Sequence, residues 1–223
     1  LIPVYYCLAL SGYQVLMLQT SPMAFVLILG GLRSWLGLTQ AYIRTTAAMV
    51  WGLMLFVVCL SCSLLLFDLS LVSEPRVGRV GWFLYLVILT EINDIMQAVT
   101  GRRFGRTKIT PRVSPNKSLE GLLGGMSCTV LLAVVSAPWL TTLTEGGSPI
   151  AGILVPMASG LLISLFGFLG DINMSAIKRD AGVKDGSTLL PGQGGMIDRI
   201  DSLTFTAPVF FYFVWFVMKA GLE

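Results

Sequence analysis

Three residues at helical spacing in the last third of the chain could do chemistry together. Asp171, Ser175 and Lys178 stand at i, i+4 and i+7, so a helix continuing through them sets a carboxylate, a hydroxyl and an ammonium on one stripe. That set suits a divalent cation and a phosphate, with Arg179 beside it. Asp198 and Asp201 stand at i, i+3 with Arg199 between them, a second shared face if helical. Between these groups Gly192, Gly194 and Gly195 follow Pro191, with Lys184 and Asp185 upstream. Closely spaced glycines let backbone N–H groups approach an anion unobstructed, although a turn before a helix asks for the same residues. The competing reading is a solvated loop whose charges anchor helix ends. Carboxylates at a membrane edge are costly to keep, which favours a functional role.

A second polar stretch runs from Asn93 to Gly121. Glu91 and Asp94 are three apart at the end of an apolar run, where an ionised carboxylate needs a partner or an ion. Six basic residues follow, from Arg102 to Lys117, and then Ser118, Glu120 and Gly121. The basic residues can anchor a helix end or bind anionic lipid headgroups. Ser118 reads as a helix N-cap, and Gly121 with Gly125 forms a G-x-x-x-G suited to close helix packing.

The elements that must position these groups are membrane helices. Of 223 residues 55% are hydrophobic and only 12% are charged, with a mean hydropathy of +0.80, a profile outside the soluble globular range. The reading is an all-α, polytopic helical membrane protein, a single integral membrane domain over 1–223. Seven helices are expected, at 3–17, 22–38, 46–68, 80–100, 119–139, 149–171 and 203–220, with polar loops at 101–118 and 172–202. Alternation puts both polar loops on one side. Twelve of the 15 lysines and arginines then share that side, which makes it cytoplasmic. The chain opens inside an apolar stretch with neither a basic n-region nor a small-residue cleavage site, so no signal peptide is expected there.

Several function classes are excluded or disfavoured. There is no histidine, which removes His-based triads and His metal sites. Cys7, Cys59, Cys62 and Cys128 all lie in apolar runs, so the C-x-x-C at 59–62 reads as inert. No soluble domain offers a nucleic-acid groove, so no nucleic-acid partner is expected. A transporter or channel lacks support from mid-span charges or paired discontinuous helices.

The two polar stretches together resemble the phosphatidate cytidylyltransferase family, also called CDP-diacylglycerol synthases. The first runs from Asn93-Asp94 through Gly105-Arg106 to Ser114-Pro115-x-Lys117-x-x-Glu120-Gly121. The second runs from Ser175-x-x-Lys178-Arg179 through Lys184-Asp185, Leu190-Pro191-Gly192-x-Gly194-Gly195 and Asp198-Arg199-x-Asp201. Residues 90–205 carry the likeness. Gln193 stands where the family usually has histidine. The resemblance implies transfer of CMP from CTP to phosphatidic acid, giving CDP-diacylglycerol and pyrophosphate at the membrane–cytosol edge. It implies Mg²⁺ or another divalent cation, with room for a second ion, held by Asp171 and Asp198. It places Lys178, Arg179 and Asp185 with these two in the catalytic set. It assigns substrate binding to Asp94, Asn116, Lys117, Ser175, Lys184, Gly192, Gln193, Gly194, Gly195, Arg199 and Asp201. It also implies membrane lipids and a second copy of the chain as partners, and residence in a bacterial inner membrane with the site facing the cytoplasm. The rival readings are a non-catalytic homologue that binds CTP or anionic lipid, and a CDP-alcohol phosphatidyltransferase. The D-G-x-x-A-R pattern of the latter is absent.

Overall fold

In hydrocarbon a backbone must satisfy its own hydrogen bonds, and helices do so within one segment. The computed structural model of the chain is nearly all helix and describes residues 14–67, 75–78, 80–145, 148–183 and 200–220. Four helical segments are long and apolar enough to cross a membrane: Tyr42–Leu65, Val80–Phe104, Leu119–Leu140 and Ala151–Asp180. The chain falls into two compact units, Leu1–Leu65 and Leu66–Glu223.

In the first unit α1 (Gln14–Trp35) packs on α2 (Tyr42–Leu65), whose middle, Met54–Cys59, is a π-helical turn. The Tyr42 hydroxyl fixes the pair by donating to the Gly30 carbonyl oxygen at 2.8 Å. The expected break at 18–21 is absent, because α1 runs continuously through it with Pro22 inside. Apolar helices of this kind tolerate proline, since neighbouring groups re-satisfy the freed carbonyl. Residues 3–13 of the first expected helix lie outside the described residues.

The second unit carries the polar stretches. It comprises α3 (Val80–Phe104), a hairpin of β1 (Lys108–Thr110) and β2 (Ser114–Ser118), α4 (Leu119–Leu140), α5 (Ala151–Asp180) and α6 (Leu203–Ala220). The all-α reading is therefore corrected by one short antiparallel hairpin, pairing Lys108 with Ser118 and Thr110 with Ser114 across a bulge. Pro111 lies in its turn, closed by the Val113 N–H on the Thr110 carbonyl oxygen at 3.1 Å. Residues 101–104, read as loop, belong to the last turn of α3. Arg102 and Arg103 there suit the negative end of the helix dipole.

The other boundary that moves is the end of α5. It was expected at Asp171 and falls at Asp180. Gly182 stops it in a left-handed conformation (φ 71°), with Gly182 N–H on the Arg179 oxygen and Val183 N–H on the Lys178 oxygen. That Schellman-type closure uses a residue without Cβ where a side chain would be strained.

Glycines set how close these helices come. A Cβ on Gly125 would lie 2.3 Å from Gln97 Cγ, and one on Gly121 would lie 2.9 Å from the Gln97 carbonyl oxygen. The G-x-x-x-G of α4 thus packs directly on α3, as its spacing predicts. Polar side chains then tie the bundle. Buried Asn93 accepts through Oδ1 from Ser164 Oγ at 2.7 Å and from Thr129 Oγ1 at 3.2 Å, joining α3, α5 and α4. Tyr85 bonds Ser159 at 2.8 Å, and Thr90 bonds Thr206 of α6 at 3.1 Å. Among apolar helices such bonds and close packing stand in for the hydrophobic drive that lipid removes. Cys59, Cys62 and Cys128 are free thiols within the helices.

Candidate active site

The site is built where the ends of α3 and α5 meet the hairpin. Ser118 caps α4, its Oγ accepting from the Gly121 N–H at 3.2 Å. Glu120 in the first turn accepts from the N–H groups of Arg106 and Thr107, at 3.0 and 3.1 Å. These bonds pin the hairpin over the start of α4, and so fix Asn116 and Lys117 in space. Lys117 is ion-paired with Asp171 of α5. Its ammonium also lies 5.7 Å from the Phe168 ring centroid. One contact therefore joins the two polar stretches, which are more than fifty residues apart in sequence.

The α5 stripe forms because the helix continues past Asp171. Ser175 Oγ donates to Asp171 Oδ1 at 3.4 Å. Lys178 lies one turn further and acts electrostatically on Asp201. Gly170 brings Asp201 in: a Cβ there would sit 2.9 Å from the Asp201 carbonyl oxygen and 3.1 Å from Ser202 Cα. The Asp201 carboxylate accepts from the Ser202 N–H at 2.8 Å. Burial, and then the negative charge of Asp171, push its carboxyl up to about 6. Asp94, on α3, interacts with the Ser202 side chain and feels the charges of Lys117, Asp171 and Asp201, while its buried Oδ1 meets no close hydrogen-bond partner. Asp94, Asp171 and Asp201 thus influence one another electrostatically, offset by Lys117 and Lys178.

Beside this acidic group opens a cleft of about 530 Å³, lined by α3, the hairpin, the start of α4 and Phe168. Asn116 and Lys117 are in its wall.

Residues 1–217 match the model of the cytidylyltransferase family. The chain belongs to that family. It is 43% identical over 213 residues to the uncharacterized protein YnbB of Escherichia coli, covering 96% of this chain and 68% of that protein. It is 42% identical over 135 residues to the phosphatidate cytidylyltransferase of Haemophilus influenzae, covering 60% of this chain and 46% of that one. It is 43% identical over 121 residues to the phosphatidate cytidylyltransferase of Synechocystis, covering 54% and 39% respectively. The chain thus spans about two thirds of the first relative and less than half of the other two.

In this cytidylyltransferase-family chain, the expected site residues divide into two groups. Asp94, Asn116, Lys117, Asp171, Ser175, Lys178, Arg179 and Asp201 are described, and the structure gathers most of them at one end of the bundle. Arg179 is exposed on the last turn of α5. Lys184, Asp185, Gly192, Gln193, Gly194, Gly195, Asp198 and Arg199 lie outside the described residues. Two residues had no assigned role in the sequence reading: Asn93, quoted there only as the start of the first family stretch, braces the helices behind Asp94, and Gln97 lines the cleft. A polar residue inside an apolar helix was the available signal for both.

A divalent cation, the group the family resemblance implies, would draw on carboxylates of this kind. Hard cations take carboxylate oxygens. Asp171 offers such oxygens, and Asp94 Oδ1 is a buried oxygen with no close hydrogen-bond partner. Among the described residues no three acidic or thiol groups close around a point.

Proposed function

We propose that this chain transfers CMP from CTP to phosphatidic acid, producing CDP-diacylglycerol and pyrophosphate at the cytoplasmic edge of the membrane. The observation that carries the reading is the Lys117–Asp171 ion pair, which joins the two family motifs at the polar end of membrane-length helices. One substrate is a lipid and the other a charged nucleotide, so the reaction belongs at such an edge.

The nucleophile is a phosphate oxygen of phosphatidic acid, and the electrophile is the α-phosphorus of CTP. The new P–O bond forms as the bond to the β-phosphate bridging oxygen breaks, and pyrophosphate leaves with that electron pair. A phosphate monoester has a second pKa of about 6, so its oxygen is already largely deprotonated near pH 7. No histidine base is needed. The work left to the protein is positioning and charge neutralisation. Lys117 and Lys178 supply positive charge, Asp171 orients Lys117 and Ser175, and Asn116 offers an amide beside them. Mg²⁺, when bound by Asp171 and Asp198, supplies charge neutralisation for the departing pyrophosphate. Gln193 can donate a hydrogen bond where the family usually has histidine, but it cannot titrate. Both polar loops face the cytoplasm in this reading, within a bacterial inner membrane, and the active unit is a homodimer.

The test is a pyrophosphate-release assay with the purified full chain in detergent micelles, CTP and phosphatidic acid, with and without Mg²⁺. Pyrophosphate formation that needs both substrates and the metal is expected. Tight CTP or lipid binding without pyrophosphate would replace this reading with that of a non-catalytic binding homologue.

A further inference from the structure

The cleft beside the acidic group carries features that the reaction as described does not use. Its wall holds Arg102, Lys108 and Lys117, and at its floor lies Gln97. Lys117 is paired with Asp171, but among the described residues neither Arg102 nor Lys108 meets a carboxylate within ion-pair distance. Arg102 Nε is held on the Ala98 carbonyl oxygen at 3.1 Å, which fixes where its guanidinium stands. Gln97 is only 4% exposed, and neither its carboxamide oxygen nor its nitrogen has a partner. A buried amide left without partners costs roughly 1–3 kcal/mol, so a ligand that meets it is bound the more tightly. Its Cγ lies where a Cβ on Gly125 would fall, 2.3 Å from that point.

The cleft also has an apolar side. Ala98, Leu122 and Phe168 line it, and neighbouring Ile95, Val99, Leu119 and Leu123 are exposed on the membrane-length helices α3 and α4. A ligand that fits has a multiply charged anionic head and an apolar body lying along those helices. The nucleotide triphosphate suits the acidic side instead, because it arrives with a cation that the carboxylates can share. A phosphate that arrives without a metal needs cationic side chains directly.

Resting on the proposed reaction, we infer that this cleft seats the phosphomonoester head of phosphatidate. Arg102 and Lys108 hold the phosphate, and Gln97 donates from the floor to an oxygen of the lipid head. Lys117 belongs to both sides, lining the cleft while bonded to Asp171, so it marks where the lipid phosphate meets the nucleotide. Gln97, Arg102 and Lys108 are then specificity residues for the lipid rather than for CTP.

The experiment compares the full chain with Arg102→Gln, Lys108→Gln, Gln97→Leu and Gln97→Glu in detergent. Two readouts are taken. One is KM for short-chain phosphatidic acid and, separately, for CTP. The other is calorimetric binding of the same lipid without CTP, with phosphatidylcholine of equal chain length and glycerol phosphate as comparators. Arg102→Gln lies on an exposed side chain and leaves folding intact. It should weaken phosphatidate about tenfold, the scale of one charge-assisted hydrogen bond, while KM for CTP stays within about twofold. Gln97→Glu should weaken it further by repelling the phosphate. Phosphatidylcholine should not compete, and glycerol phosphate should bind far more weakly than the lipid. A rise in KM for CTP with phosphatidate unchanged would overturn the inference and make the cleft a nucleotide seat. Equal binding of glycerol phosphate and lipid would reduce it to a free-phosphate site. Unchanged constants in every variant would leave the cations as helix anchors only and also overturn it. If wild type makes no pyrophosphate yet binds phosphatidate through these residues, it is the proposed reaction that fails and the seat that stands.

Discussion

At the scale of residues, the organising contact is Lys117 with Asp171. Removing the Asp171 charge leaves Lys117 without its ion-pair partner, while an amide oxygen can still accept from Ser175 Oγ. Asp171→Asn is nearly isosteric, so the fold should persist while turnover falls at least about 100-fold, the scale of losing one electrostatic contact to the transition state. Near-normal pyrophosphate release from a folded Asp171→Asn chain would remove Asp171 from the site. Asp201 makes a different prediction. Its carboxyl is pushed up to about 6, first by burial and then by Asp171, against about 3.9 in an unfolded chain. Between those values the folded state binds more protons than the unfolded one. Stability of the metal-free protein therefore falls as pH rises from about 4 through 6. Asp201→Asn should flatten that slope in thermal unfolding, and added Mg²⁺ should flatten it in wild type by favouring the carboxylate. Parallel melting curves for wild type and variant from pH 4 to 7 would contradict this.

At the scale of elements, glycine positions decide which helix faces touch. Gly125 has Gln97 Cγ where a Cβ would go, at 2.3 Å, whereas Gly31 has nothing within 4 Å. Gly125→Ala should cost about 1–3 kcal/mol, the range for overpacking. It should also shift Gln97 in the cleft. Gly31→Ala, within helix α1, should be neutral or stabilising by up to about 1 kcal/mol. Comparing the two melting temperatures in one detergent checks both, and equal effects would mean that the α3–α4 approach is looser than its glycines require. The G-x-x-x-G was legible in the sequence because small residues four apart share a helix face. The partner face on α3 was not, because nothing in the spacing of Gln97, Gly101 and Gly105 says which helix they meet.

For the whole molecule, the side of the membrane is the property that matters most to a nucleotide-using enzyme. Lys117 and Asp171 join the α3–α4 connection to the end of α5, so the two polar stretches share one end of the second unit. The bias of lysine and arginine predicts that this end faces the cytoplasm, as the proposed reaction requires. Single cysteines at Thr107, exposed beside the hairpin, and at Ser187 should both label only from the cytoplasmic side, in a background lacking the native thiols. Labelling of either from the opposite side would place the site away from CTP and end the proposed reaction.

The sequence by itself determined that the chain is helical, apolar enough for a bilayer, and marked with two polar stretches bearing a family signature. Composition and motif order are local properties that survive without coordinates. It also foretold the Ser118 cap, from a serine at a helix start, and the Asp171–Ser175 stripe, from helical spacing. It misplaced the end of α5, because charge was taken as the stop signal. The physical stop is the left-handed Gly182, just past the last helical residue Asp180. It divided α1 at a proline that an apolar helix absorbs. Only the tertiary structure decided that Lys117 meets Asp171, that Asn93 ties three helices, and that Gln97 is buried without a partner at the floor of a cationic cleft. Those facts depend on how close helix axes come. That distance is set by pairs of small residues on different helices, which no single stretch of sequence contains.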